Sequence, residues 1–318
     1  MNWKQAVLVG VATLFLISIV AVGLVGDPGQ AEDEGRLRVV ATVYPLGYMA
    51  KEIGGDMVSV VTMVPHNQEV HVFNPSTSDM LAADRADVLL YNGAGLDLWF
   101  EEDLLPELDT GDKVVVETTK DLELLEVVGG HGVDDDGHDD GVHDPHTWIS
   151  PHTALQQAAA VYEALVEADA PNEVAYRSNW QAFRERLEAL DAEYEERLAN
   201  STFDTIIVSH EAYGYLANRY GFEQHGVIGI SANEQPSAAT IADLVTLMEE
   251  LGINSVFVDP VYSDDYALTL KDELEDRTGE DVAILNLYFM LGPVDGMDLL
   301  EQMEANLGSL ARGLGAEE

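Results

Sequence analysis

From Asn172 to Ala199 the chain runs without a glycine or a proline, and no other segment constrains the fold as strongly. Pro171 stands just before it, suited to a first helical position, and Asn200 ends it. One helix over this span would reach roughly 40 Å at 1.5 Å per residue. A soft linker would read as glycine and serine instead. On both sides the chain alternates short apolar runs with helical patterns. Strands are expected at Leu37–Tyr44, Val58–Val64, Val88–Asn92 and Lys113–Glu117, with helices near Leu46–Ile53, Ser76–Asp84 and Leu96–Leu105. A further helix is expected over His152–Ala168. Beyond Asn200, strands are expected at Asp204–Ser209, Gly226–Ile230, Ser255–Asp259 and Val282–Leu287. Helices follow at Tyr213–Tyr220, Pro236–Leu251, Asp264–Thr278 and Met297–Leu314. Alternation of this kind predicts parallel sheets in an α/β architecture. The expected organisation is an N-terminal lobe over 37–170, a rigid linking helix over 171–200 and a C-terminal lobe over 201–318. Each lobe would hold a four-stranded sheet, with a ligand cleft between them.

Charge narrows the function. Fifteen Lys+Arg against 59 Asp+Glu leave a net charge of −44. A nucleic-acid binder needs basic clusters to neutralise phosphates, and the sequence has none. The acids are dispersed along the chain, which reads as a surface adapted to molar salt, where screening shortens to about 3 Å. An uncharged apolar run, Ala6 to Gly26, is followed at once by acids and glycine. Residues 1–31 therefore read as an export signal or an N-terminal membrane anchor. The remainder is expected outside the cytoplasm, at the cell surface, secreted or held by that segment. The chain has no cysteine, so bacterial-type lipid attachment is excluded and no disulfide staples the fold.

Three histidine segments carry the chemistry: Val64-Pro65…Val70-His71-Val72-Phe73-Asn74-Pro75, His143-Asp144-Pro145-His146-Thr147-Trp148, and Ser209-His210-Glu211-Ala212-Tyr213. Neutral imidazole is the commonest transition-metal ligand, and folded sites gather such ligands from distant parts of a chain. Without cysteine, a site here must use histidine, carboxylate or amide. One histidine alone reads as structural. His71, His146 and His210 differ because each follows an expected strand or sits in a strand-to-helix loop, where α/β folds bind ligands. His66, His152 and His225 lack that context and read as structural or surface residues. The segment Gly129–Gly141 is rich in glycine, aspartate and histidine. It reads either as a solvated acidic insertion or as a loop that gathers metal loosely through His131 and His138.

With these motifs in order, the chain resembles the solute-binding proteins of zinc and manganese ABC transporters, the ZnuA-like family, as an acidic member of haloarchaeal type. The resemblance runs from about Val39 to Leu314. It includes Asp144-Pro145-His146-Thr147-Trp148-Ile149-Ser150-Pro151, Glu234-Gln235-Pro236-Ser237 and Val256-Phe257-Val258-Asp259-Pro260. It implies two lobes joined by a rigid helix and a metal site at their interface, with His71, His146 and His210 as ligands. At the fourth position the family usually has an aspartate, where this chain carries Asn286. Asn286, a water or Asp259 then completes the site. Three imidazoles and at most one oxygen suit tetrahedral zinc, with manganese the alternative. The implied role is capture of Zn2+ outside the cytoplasm and delivery to a membrane permease, by a monomer that is not an enzyme. A surface adhesin on the same fold is the alternative. A zinc hydrolase would need a base beside the metal, and the helical His-Glu-x-x-His pattern is absent although Glu211 adjoins His210.

Overall fold

Alternation in the sequence is realised as two parallel sheets. The computed structural model describes residues 35–71, 73–126, 143–229 and 237–316. The apolar run Ala6 to Gly26 and the Gly129–Gly141 segment lie outside the described residues, as does Glu234. Strands β1 (Leu37–Ala41), β2 (Val58–Thr62), β3 (Val88–Tyr91) and β4 (Val114–Glu117) form one sheet in the order β2-β1-β3-β4. Strands β5 (Thr205–His210), β6 (Glu223–Ile228), β7 (Ser255–Val258) and β8 (Ala283–Asn286) form the other in the order β6-β5-β7-β8. Every pairing is parallel. The central strands bury both faces, so they read as continuous apolar runs such as Val39-Val40-Ala41 and Val88-Leu89-Leu90. In each sheet the connections diverge between the two central strands. Such a divergence opens a crevice at the carboxyl ends, where open α/β sheets bind ligands.

Helices cover these sheets: α1 (Tyr44–Gly54), α2 (Thr77–Arg85), α3 (Pro151–Ala168), α4 (Glu173–Leu198), α5 (Gly214–Tyr220), α6 (Ala238–Leu251), α7 (Asp265–Thr278) and α8 (Leu299–Gly313). Ser76 with Asp79, and Asp298 with Glu301, form reciprocal capping boxes that fix the starts of α2 and α8. Among the described residues no helix is long and apolar enough to cross a membrane.

Three expected elements differ from the observed ones. The first strand stops at Ala41, since Pro45 at the first turn commits Tyr44 to α1. The expected helix over Leu96–Leu105 is instead one wide π turn, Trp99–Leu104, followed by a short 3₁₀ turn that contains Pro106. Strand β6 begins at Glu223, three residues before Gly226, where the expectation put it. Its first residues, Glu223-Gln224-His225, carry no apolar signal because an edge strand needs only backbone pairing to β5.

The 26-residue helix α4 is the strut between the lobes, preceded by a 3₁₀ turn that contains Pro171. It buries Tyr176, Phe183, Leu187, Leu190, Tyr194 and Leu198. Asn179 Nδ2 donates to the Ile53 carbonyl of α1 at 3.0 Å, and the Tyr194 hydroxyl donates to Met303 of α8 at 2.6 Å. Tyr48 of α1 also donates directly to Asp298, the cap of α8, at 2.9 Å. The main hydrophobic core is continuous through this junction. It runs from Leu89 in the first sheet through Phe183 and Leu187 to Phe257, Leu285 and Leu300. A second cluster, including Val245, Met248, Leu270 and Leu274, lies under α6 and α7.

Phe183→Ala removes a 2 % exposed ring from that shared core and is expected to cost about 3–5 kcal/mol, read by urea denaturation. Both lobes should unfold in one transition, with tryptophan fluorescence and far-UV circular dichroism coinciding. Lowering salt from about 1 M to about 0.01 M extends screening from ~3 to ~30 Å. The thermal midpoint should then fall, as 59 acids repel one another with only 15 cations among them; an unchanged midpoint would reject adaptation to high salt.

Candidate metal centre

Each candidate histidine is held by a different local device. His71 lies in the segment after β2. There the Trp99 indole donates to the Val70 carbonyl at 3.1 Å, and the Phe73 ring packs edge-on against Trp99 at 4.9 Å. The His71 backbone N–H donates to Glu69 Oε1 at 3.2 Å, and its Nε2 is buried. His146 is fixed by its own neighbour. Asp144 Oδ1 accepts from the His146 backbone N–H at 2.9 Å and bonds Nδ1 at 2.8 Å. Beside an ionised carboxylate, a neutral imidazole would carry its hydrogen on Nδ1 and leave the Nε2 lone pair for a ligand. A carboxylate behind an imidazole is the common way to orient a metal-ligating histidine. The segment itself is set by Asn92, next after β3, whose Nδ2 donates to the Pro145 carbonyl at 3.0 Å.

His210 is the last residue of β5, at the carboxyl edge of the second sheet. Its ring meets His146 edge-on, with centroids 5.2 Å apart. Two imidazoles on one tetrahedral zinc, with Zn–N bonds of ~2.0–2.1 Å, place their centroids about 5 Å apart. Both rings are buried, each at 7 % exposure. Burial, with the neighbouring His146 and then His71, pushes the His210 pKa well below its ordinary value. His210 is therefore neutral, as a ligand must be. The effect of His71 on His210 places it within electrostatic reach of the pair. Among the described residues, no set of three His, Asp or Glu side chains forms a group that could hold a metal.

The remaining candidates have contacts of their own. Asn286 ends the edge strand β8 and is exposed, its amide 3.5 Å from the Tyr288 hydroxyl. Asp259 is buried, which raises its pKa, and both oxygens are engaged: Oδ1 accepts from Val261 N–H at 2.7 Å and Oδ2 from Phe289 N–H at 2.6 Å. Glu211 Oε1 accepts from the Gly226 N–H at 2.9 Å. His66 packs on Tyr44, while His152 and His225 lie 3.9 Å from the surface carboxylates Asp191 and Glu223. Sequence reasoning missed Phe289, whose ring lies 5.2 Å from His210. Trp148, already part of the His146 motif, lies 5.6 Å from His146 and donates to the Phe289 carbonyl at 2.8 Å. Within an apolar run, nothing distinguishes Phe289 from a core residue. Asp144, two residues before His146, did carry a legible signal.

Comparison with known proteins matches this architecture. Residues 39–313 fit the family model described as zinc-uptake complex component A, periplasmic. The zinc-binding lipoprotein AdcA of Streptococcus pneumoniae is 30% identical over 306 residues, covering 94% of this chain; the chain spans only 60% of that protein's length. The high-affinity zinc uptake system protein ZnuA of Bacillus subtilis is 29% identical over 311 residues, 96% of each chain. Among solved structures, the laminin-binding protein Lmb of Streptococcus agalactiae, described as a bifunctional protein with adhesin and metal transporting activity, superposes with a TM-score of 0.76. It is 27% identical, and the match covers 88% of this chain and 99% of that one. The chain belongs to the ZnuA family, the periplasmic component A of zinc-uptake complexes.

Proposed function

We propose that the protein captures a zinc ion outside the cytoplasm through His71, His146 and His210 and hands it to the permease of an ABC transporter. The observation that carries this reading is the 5.2 Å edge-on approach of the buried His146 and His210 rings, with His71 in electrostatic reach. The ligands come from both lobes, 37–170 and 201–318, and the helix over 171–200 sets the distance between them. The zinc-binding and zinc-uptake roles of the streptococcal and Bacillus relatives support the same cargo. Nitrogen donors favour zinc, whereas manganese, the alternative cargo, prefers oxygen. Transport is favoured over hydrolysis because Oε1 of Glu211, the carboxylate next to His210, already accepts from the Gly226 backbone N–H. The apolar run Ala6 to Gly26 would direct export or anchor the protein at the membrane.

Calorimetric titration of metal-free protein in molar salt at pH 7.5 is expected to find one zinc site of submicromolar Kd. His210→Ala should weaken it at least about 100-fold, or about 2.7 kcal/mol. A Kd above about 10 μM in the unsubstituted chain would reject the reading.

The depressed pKa of His210 gives a second expectation, with a definite sign. Above about pH 6.5 this imidazole is neutral in both folded and unfolded chains and adds no proton linkage. Below it the unfolded chain takes up a proton that folded His210 resists, so the metal-free protein loses stability as pH falls. His210→Gln should flatten the pH dependence of the thermal midpoint below pH 6.5; an equal slope in both proteins would contradict the burial argument.

A further inference from the structure

We propose that Phe289 determines which ion the histidine cluster accepts, by closing with an apolar wall the side on which a six-ligand metal would need oxygen donors. The inference rests on the three-histidine reading and adds to it a selectivity residue. The Phe289 ring stands edge-on to His210 at 5.2 Å. It is stacked on Tyr213 at 5.5 Å and met edge-on by Tyr262 at 5.4 Å. Its backbone is gripped from both lobes. The N–H donates to Asp259 Oδ2 at 2.6 Å, and the carbonyl accepts from the Trp148 indole at 2.8 Å. Met290, the next residue, has φ 61, a left-handed conformation that a non-glycine residue keeps only when its surroundings over-determine it. The backbone that carries the ring is thus held in place beside His210.

The carboxylates around the cluster have partners: Asp144 bonds His146, Asp259 accepts from the amides of Val261 and Phe289, and Glu69 accepts from the His71 backbone N–H. What stands beside the His210 ring is a hydrocarbon ring. Zinc is satisfied by four ligands, three imidazoles and one small donor. Manganese prefers octahedral oxygen coordination, which needs space and oxygens on that side. The wall excludes both.

The test uses the full chain, the unsubstituted protein beside Phe289→Asp and Phe289→Ala. Zinc and manganese affinities are measured by calorimetry, and Co2+ absorption reports coordination number, since tetrahedral cobalt absorbs far more strongly than octahedral cobalt. The unsubstituted protein should give the intense cobalt bands. Phe289→Asp should narrow the zinc-over-manganese ratio at least about tenfold, about 1.4 kcal/mol, and weaken the bands. Phe289→Ala, which opens the same space to water without adding charge, should move both readings the same way to a smaller extent. It carries the test if the aspartate variant does not fold. Folded variants with an unchanged metal ratio and unchanged cobalt bands would overturn the role of Phe289 while leaving the zinc site standing. Absence of a zinc site in the unsubstituted protein would instead overturn the three-histidine reading, and this inference with it.

Discussion

Asp144 is the junction on which the candidate centre depends. Its backbone N–H donates to Leu125 at 2.8 Å, its carbonyl accepts the Tyr215 hydroxyl of the second lobe at 2.7 Å, and its carboxylate orients His146. One buried residue thus ties a loop, a neighbouring lobe and a candidate histidine ring together. The approach is so close that only glycine fits opposite: a Cβ on Gly214 would lie 2.4 Å from Asp144 Oδ2. Burying a carboxylate costs free energy unless its lone pairs are used. Here the backbone N–H and the imidazole of His146 use them, so the same bonds that stabilise the acid orient the His146 ring.

Much of the fold was legible because parallel sheets leave strong marks. Their buried strands read as unbroken Val/Ile/Leu runs, and a long stretch free of glycine and proline has little choice but to be a helix. The place of His210 at the carboxyl end of a strand was legible as well, and strand ends in such folds are where ligands bind. What the sequence withheld depends on tertiary contacts. The edge strand β6 starts in polar residues because backbone pairing alone recruits them. The Trp99 turn is π rather than α, in a segment whose apolar pattern reads as helical. Asn286 could be placed near the site only by likeness to relatives, and it is exposed at the end of its strand. Phe289 is apolar among apolar neighbours, and only folding reveals that it stands beside His210.

The shared core distinguishes this chain from two domains joined by a tether. Phe183 and Leu187 on α4 pack into the same cluster as Leu89 and Leu300, so the lobes cannot separate without exposing apolar surface. Direct bonds between the lobes, such as Tyr48 to Asp298 and Trp148 to Phe289, add geometric precision to that packing.

The strut formed by α4 has a kinetic consequence. A receptor with a loose hinge traps its cargo by swinging shut, and the swing can limit the rate of capture. With α4 pinned to α1 and α8 by Asn179 and Tyr194, a swing of one lobe against the other would break those bonds and open the shared core. If the histidine cluster holds an ion as proposed, rearrangement is left to short segments such as the one that carries His71, whose local opening would set how long the ion stays.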